Sequence, residues 1–181
     1  MRFASLRLRQ LALAAASLLI VLAVAGFAFA AIFADHTQRT LQTRLAAEMN
    51  RLVALVDATT EPPSLATPLP DARYETPAGG IYWQMRDPAT GALARSRSLW
   101  DATLAASGAS DAIAAERTLG PADQNVLVVS QTLTFEGAGA VERPLQLAVA
   151  ENLADVEAAN AAFRSDLIRA LTVITLALLT T

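Results

Sequence analysis

The sequence predicts an α+β protein with a central antiparallel sheet of about five strands between two helical ends. The middle of the chain holds segments rich in β-branched and aromatic residues, separated by turns that contain proline and glycine. Each end holds an apolar stretch. We therefore expect a long N-terminal helix continuous with a transmembrane helix, and a C-terminal helix that enters a second transmembrane helix.

The first apolar run predicts a membrane span. Residues 11–34 form 24 consecutive positions without a charge, and about 20 suffice for a helix to cross the hydrocarbon core of a bilayer. Three arginines and no acidic residue precede this run. That bias predicts a cytoplasmic N-terminus over 1–10 and an extracytoplasmic location from residue 35 onward. A cleavable signal peptide is the alternative, because Ala28–Ala30 resembles a cleavage site.

The last segment, 164–181, predicts the start of a second transmembrane helix. The 12 residues after Arg169 carry no charge, but they are too few to span a bilayer. We expect the chain to be a fragment that ends inside this span, with Arg164 and Arg169 near the outer interface. A short buried or interfacial helix is the alternative.

The charge of the middle segment limits its partners. Residues 35–163 contain 16 acidic and 9 basic residues, a net charge of −7, which argues against nucleic acid and tolerates cationic ligands. All 14 basic residues of the chain are arginine, and the absence of cysteine excludes disulfides and thiolate chemistry. The single histidine, His36, cannot form a histidine-rich metal centre or a catalytic triad.

The helix is expected to continue from the membrane run through residues 35–60. Its apolar positions recur at steps of four, three and four, which makes one stripe. This stripe packs either on its own domain or on a copy of itself in a dimer. The stripe consists of Leu45, Met49, Leu52 and Val56.

The next segment, 61–80, contains five prolines, which predicts a surface loop.

Five segments after this loop predict the strands of the sheet. Pro88 and Gly91 mark the turn between the first two. The residues after the fifth predict a helix that leads into the C-terminal apolar run. The predicted strands are 80–87, 93–100, 115–120, 125–137 and 143–152.

The first predicted hairpin carries a recognisable pattern, "YWQM" at 82–85 followed by "LARSRSLWD" at 93–101. Together with the order span, domain, span, it resembles the N-terminal sensor portion of bacterial two-component sensor histidine kinases. The resemblance covers essentially the whole chain. It implies a PAS-like fold, a homodimer in the bacterial inner membrane, and a periplasmic sensor domain at 35–163.

The same resemblance implies a function. The chain would sense an extracytoplasmic signal and pass the ligand state across the membrane to an autophosphorylating kinase domain that lies outside it. We therefore expect no catalytic residue here. ATP and magnesium, and contact with the response regulator, would belong to the kinase part. The alternatives are a membrane-anchored structural or assembly protein, and the sensor domain of a chemoreceptor or cyclase.

The first hypothesis for a ligand site concerns the hairpin. On a strand, Arg95 and Arg97 would share one face about 7 Å apart. Two guanidinium groups so placed can clamp a carboxylate or phosphate, and Trp83 or Trp100 could wall the pocket. The alternative is that the arginines form surface ion pairs and the tryptophans pack in the core.

The second hypothesis for a site is a divalent cation. Glu151 and Asp155 would lie on one face of the helix before the second span, where like charges repel. A cation could offset that repulsion, and magnesium-sensing members of the family use acidic patches near the membrane. The alternative is a solvated acidic helix face.

Reporter fusions test the predicted topology. A fusion at Ala58 should score as extracytoplasmic and a fusion before Arg9 as cytoplasmic, because the arginine bias orients the first span. N-terminal sequencing of the membrane-bound protein provides the control. A processed N-terminus near Ala31 would contradict the two-span topology and favour a signal peptide.

Overall fold

The computed structural model describes residues 3–106, 111–139 and 141–179. These separate into two compact units: a helical unit of residues up to Gln38 and from Val156 onward, and a sheet unit from Arg39 to Asp155. The helices and strands are α1 (Phe3–Leu55), β1 (Val56–Asp57), β2 (Ser64–Leu65), β3 (Ile81–Arg86), β4 (Leu93–Arg95), β5 (Ala114–Leu119), β6 (Asn125–Glu136), β7 (Glu142–Asn152) and α2 (Ala154–Leu179).

The sheet unit contains a five-stranded antiparallel sheet in the order β4-β3-β7-β6-β5, and a separate two-stranded pair, β1-β2. β7 is the central strand. It pairs with β6 from Val126↔Asn152 to Glu136↔Glu142, and with β3 from Ile81↔Glu151 to Arg86↔Gln146. The predicted α+β class and five-stranded antiparallel sheet are confirmed.

The predicted N-terminal helix is also present, but it ends at Leu55 rather than near residue 60. Val56, the last residue of the predicted stripe, lies in β1 and pairs with Leu65. The other three stripe residues are at most 1% exposed in the chain. The stripe therefore packs on its own domain, as one of the two interpretations predicted. These three residues are Leu45, Met49 and Leu52.

The second predicted strand, 93–100, is wrong beyond Arg95, because Arg97–Leu99 form a 3-10 turn. The two serines of the Ser-Arg-Ser run explain the change. The hydroxyl of Ser96 accepts the backbone N–H of Trp83 at 3.1 Å, and the hydroxyl of Ser98 donates to the carbonyl of Ile81 at 2.6 Å. The two hydroxyls thus bond the backbone N–H of Trp83 and the carbonyl of Ile81, which the backbone of a continuing strand would otherwise bond.

α1 lies on one face of the sheet, which we call the helix face. Successive residues of a strand point to opposite faces, so the side chains of Arg143 and Glu151 on β7 share a face. Arg44 of α1 donates to Glu151. Eight residues away along β7, Arg143 donates to the carbonyls of Ala58 and Thr60, just beyond the end of α1. The helix therefore runs along the central strand.

The opposite face is covered by an extended stretch that we call the crossing segment, residues 101–106. Gln84, which is 3% exposed, bonds both the N–H and the carbonyl of Leu104, at 2.9 and 3.3 Å. Gln146 donates to the carbonyl of Ala106 at 3.0 Å. The crossing segment is thus held by hydrogen bonds to side-chain amides, where a strand would be held by backbone hydrogen bonds. The core under the segment includes Tyr82, Leu99, Leu104, Val126, Val128, Ala148 and Ala150.

Arg143 joins three separate parts of the helix face. Its Nε donates to the carboxylate of Asp87 at 2.7 Å, and its Nη1 donates to the carbonyls of Ala58 and Thr60 at 2.8 and 2.7 Å. The Asp87 side chain is 2% exposed and that of Arg143 is 15% exposed. The hydrogen bond from Arg143 lowers the pKa of Asp87 below its usual range. The β3–β4 turn, β7 and the end of α1 are thereby linked.

In the helical unit, the two helices contact each other through aromatic and small residues. The rings of Phe33 and Phe163 stack at a centroid distance of 5.2 Å, and Phe29 lies 6.0 Å from Phe163. A side chain at Gly26 would meet Leu167 at 3.0 Å. A small residue at such a crossing permits close helix approach.

Among the described residues, α1 alone is long and apolar enough to cross a membrane. Its most apolar window of 18 residues has a mean hydropathy of 2.6, and 6% of that window is buried. α2 confirms the predicted C-terminal helix, but it carries Asp166 and Arg169, whose charged groups lie 3.2 Å apart. A second span therefore stays a prediction.

Substituting Arg143 should destabilise the protein strongly. Arg143→Ala leaves the buried Asp87 carboxylate without its partner, which typically costs about 3–5 kcal/mol. Asp87 has a lowered pKa, so its contribution is present above the unfolded pKa of about 3.9 and is lost as the pH falls through the folded value. The wild-type chain should therefore lose stability in acid more steeply than Arg143→Ala.

The measurement is thermal unfolding of the whole chain in detergent micelles between pH 3 and 7. Arg86→Ala removes an exposed arginine at the end of β3 and serves as the control, with an expected change within about 0.5 kcal/mol. Equal loss in the two variants, or an unchanged acid slope in Arg143→Ala, would contradict a structural role for the buried pair.

Candidate functional site

The structure separates the two arginines of the predicted anion clamp. Arg95 is the last residue of β4, whereas Arg97 is exposed in the following 3-10 turn. The premise of two guanidinium groups on one strand face is therefore wrong. The cause is local, because the serines that flank Arg97 bond to β3 and turn the chain out of the sheet.

Arg95 is also occupied. It pairs with Gln84 in the sheet, so its side chain lies on the face of the crossing segment. Its Nη1 donates to the carbonyls of Asp101 and Ala102 at 3.2 and 3.1 Å, and its Nη2 lies 3.9 Å from the carboxylate of Asp101. Arg95 thus fastens the start of the crossing segment.

The two tryptophans lie in different environments. Trp83 is half-buried on β3 and its side chain points to the helix face. Trp100 is 61% exposed and has a backbone φ of 52°, a conformation that is rare for a bulky residue. Neither is a fully buried core residue. Of the residues in the predicted site, Trp83 and Arg95 line one pocket, whose walls include neither Arg97 nor Trp100.

The two acidic residues of the predicted cation site belong to different elements. Glu151 lies in β7 and Asp155 near the start of α2, so they do not share a helix face. Glu151 accepts a hydrogen bond from Arg44 and lies 3.7 Å from Arg73. Arg73 in turn pairs with Asp71 at 2.7 Å.

We call these four residues, Arg44, Asp71, Arg73 and Glu151, the arginine–carboxylate cluster. Two guanidinium groups balance its two carboxylates. The hydrogen bond from Arg73 lowers the pKa of Asp71, and burial raises the pKa of the adjacent Tyr74 hydroxyl. No group of three or more histidine, aspartate or glutamate residues suited to a metal occurs in the described part of the chain.

A concave site does occur at Trp83, on the helix face. We call it the proline pocket, and its volume is about 380 Å³. It combines one aromatic ring, one carboxylate and several proline rings. Its walls are formed by Pro62, Pro63, Ser64, Leu65, Pro68, Leu69, Glu75, Trp83, Ala94 and Arg95.

The walls of the proline pocket are held by backbone pairing. Ser64 and Leu65 pair with β1, and Ala66 donates its N–H to the carbonyl of Leu55 at 2.9 Å. Trp83 pairs with Val149 of the central strand. Glu75 caps the 3-10 turn that ends in Tyr74, which is 2% exposed. The pocket therefore has a defined shape without a ligand.

Two polar groups of the proline pocket have no partner among the described residues. The indole N–H of Trp83 makes no hydrogen bond there, and the carboxylate of Glu75 makes neither a hydrogen bond nor an ion pair. Arg95 lines the pocket, but its guanidinium is bound to carbonyls of the crossing segment. The pocket thus presents an aromatic ring and a carboxylate, while the charged group of Arg95 points to the opposite face of the sheet.

Sequence reasoning found Trp83 and Arg95 but missed Glu75 and the prolines. The run of five prolines between residues 61 and 80 was the available signal. It predicted a loop, and nothing in the pattern indicated that this loop folds back over Trp83. A larger groove of about 610 Å³ lies along α2 in the helical unit, but it is lined by residues of that helix alone.

No protein-family model, curated protein or solved structure matches this chain.

The two arginines of the hairpin should differ in their effect on stability. Arg95→Ala removes two charge-assisted bonds to the crossing segment, and one such bond is worth about 1.5–3 kcal/mol. Arg97→Ala changes an exposed side chain and should stay within about 0.5 kcal/mol. Urea unfolding of the whole chain in micelles measures both. Equal effects would mean that Arg95 does not hold the crossing segment.

Proposed function

We propose that this chain is the extracytoplasmic sensing and transmembrane signalling module of a two-component sensor histidine kinase. In this proposal, α1 crosses the bacterial inner membrane from a cytoplasmic N-terminus, residues 35–163 form a periplasmic PAS-like sensor domain, and α2 begins the second span. The module itself is not an enzyme. In this proposal, ATP, magnesium and the response regulator bind a kinase domain that is not part of this chain.

One observation supports this proposal most directly. The element that enters the sheet unit and the element that leaves it are bonded to each other. α1 enters, and β7, the central strand, connects through Leu153 alone to α2. The bond between Arg44 and Glu151 joins α1 to the end of β7.

This connection suits signalling because a sensor must bias an element that both sites share. The proline pocket borders β3 through Trp83, and β3 pairs with β7 through the whole of its length. A ligand at Trp83 lies one strand away from the strand that leads to α2. In the proposal, ligand binding shifts β7 relative to α1, and the arginine–carboxylate cluster sets the resting position.

The proposed module acts as a homodimer in the membrane. Leu45, Met49 and Leu52 are buried within one chain, so the dimer would use other surfaces of α1. The exposed apolar residues of the membrane run supply such a surface, and Val24 and Phe27 are 64% and 78% exposed.

A chimera tests the proposed function. The chain is fused in frame, after Thr181, to the remaining part of the second span and the cytoplasmic kinase part of a characterised sensor kinase. We expect Arg44→Ala to change basal autophosphorylation at least about threefold, because it removes the bond between the incoming helix and the outgoing strand. Phosphorylation in membrane vesicles is the measurement.

Arg51→Ala is the matched control for this test. Arg51 lies on the same helix, and its one ion pair among the described residues is with Glu48, three residues away, at 2.8 Å. It should leave basal autophosphorylation unchanged. Equal phosphorylation in the parent, Arg44→Ala and Arg51→Ala chimeras would count against signalling through this contact. A reading frame that stops after Thr181 would instead favour a structural anchor, and a methyl-accepting or cyclase domain would favour those receptor classes.

A further inference from the structure

The charges of the proline pocket select the sign of its ligand. Within the described part of the chain the carboxylate of Glu75 has no hydrogen-bond or ion-pair partner, and Trp83 presents a half-buried indole ring. The indole ring has a negative face, which attracts a cation. The one guanidinium among the lining residues, that of Arg95, is bound to carbonyls of the crossing segment. An anion would meet repulsion at Glu75, and the guanidinium of Arg95 points to the opposite face of the sheet, where it lies 3.9 Å from the carboxylate of Asp101.

The remaining walls select an organic cation over a bare metal ion. Five of the lining residues are proline or leucine, which offer methylene and methyl groups rather than oxygen ligands. Metal ions such as calcium need about six to eight oxygen ligands, whereas an alkylammonium group packs its carbons against apolar walls. These residues are Pro62, Pro63, Pro68, Leu65 and Leu69.

We propose that the proline pocket binds a small organic cation that carries an alkylammonium group, a primary amine or a quaternary ammonium. This inference rests on the proposed sensing function and names its ligand class. The ammonium group sits between the ring of Trp83 and the carboxylate of Glu75, and the rest of the ligand packs on the prolines. A volume of about 380 Å³ lies at the small end of ligand pockets, which span about 300–1,000 Å³.

The net charge of the surrounding domain also favours a positively charged ligand. Residues 35–163 carry a net charge of −7, and a negative surface raises the local concentration of cations at low ionic strength. The walls are also pre-formed, since Ser64 and Leu65 are paired to β1 and Trp83 lies within the sheet. A pre-formed site loses less conformational entropy on binding.

Choline and its neutral isostere, 3,3-dimethylbutan-1-ol, test this proposal because they share a shape and differ in charge. The whole chain is used in uncharged detergent micelles, with Trp100→Phe so that Trp83 is the only tryptophan and can be excited selectively. Choline should change the Trp83 emission saturably. The isostere should bind at least about fivefold more weakly, which corresponds to the roughly 1 kcal/mol of a cation–π contact. Acetate should not bind.

Glu75→Gln separates the charge from the shape of the pocket. It should weaken choline binding about fivefold or more, because it removes the carboxylate that faces the ammonium group. Glu136→Gln is the matched control, since Glu136 is an exposed acid at the far end of β6, and it should leave binding unchanged. Both side chains are exposed, so neither variant threatens the fold.

Three results would overturn the proposal: equal binding of choline and the isostere, binding of acetate in place of choline, or equal affinities in Glu75→Gln and Glu136→Gln.

Repeating the titration in nanodiscs identifies the source of the ammonium group. Loss of the choline signal in phosphatidylcholine but not phosphatidylglycerol discs indicates a lipid headgroup, and a signal in both indicates a free solute. The binding assay contains no kinase domain, so a negative result would reject the ligand class without affecting the result of the chimera experiment.

Discussion

The sheet unit depends on arginine side chains that hold a helix against the central strand. Arg44 reaches from α1 to Glu151 at one end of β7, and Arg143 reaches from the other end of β7 to the carbonyls beyond α1. A guanidinium has five donors in a rigid plane, so one group can satisfy a carboxylate and two carbonyls together. Arg143 does so, and this lets the chain turn sharply after Leu55 and fold the proline-rich loop back over the sheet.

The sequence predicted the elements whose signals are local. Apolar periodicity gave α1 and its stripe, and β-branched alternation gave β6 and β7 close to their observed bounds. The misplaced elements were decided by contacts distant in sequence. β4 ends early because Ser96 and Ser98 bond to β3, and strand alternation does not register a hydroxyl that competes with the backbone.

The candidate site shows the same limit. Trp83 was identified because the chain has only two tryptophans, and Arg95 because a guanidinium group can bind an anion. Their roles were not predictable, since the direction of a side chain depends on which face of the sheet each element covers. Arg95 points to the crossing segment and Trp83 to the proline pocket, on opposite faces. Glu75 was missed because a single acid in a loop has no pattern until the loop folds onto its partner.

The crossing segment has a consequence for how the sheet unit opens. In a strand, an amide is protected from solvent exchange by the backbone of its neighbour, but the amide of Leu104 is bonded to the side chain of Gln84. Its protection therefore depends on one rotamer and on the burial of Leu104, which is 3% exposed. Native-state hydrogen exchange resolves such local openings from global unfolding. The exchange rate of the Leu104 amide therefore reports whether the crossing segment covers this face of the sheet, independently of the hydrogen bonds between the strands.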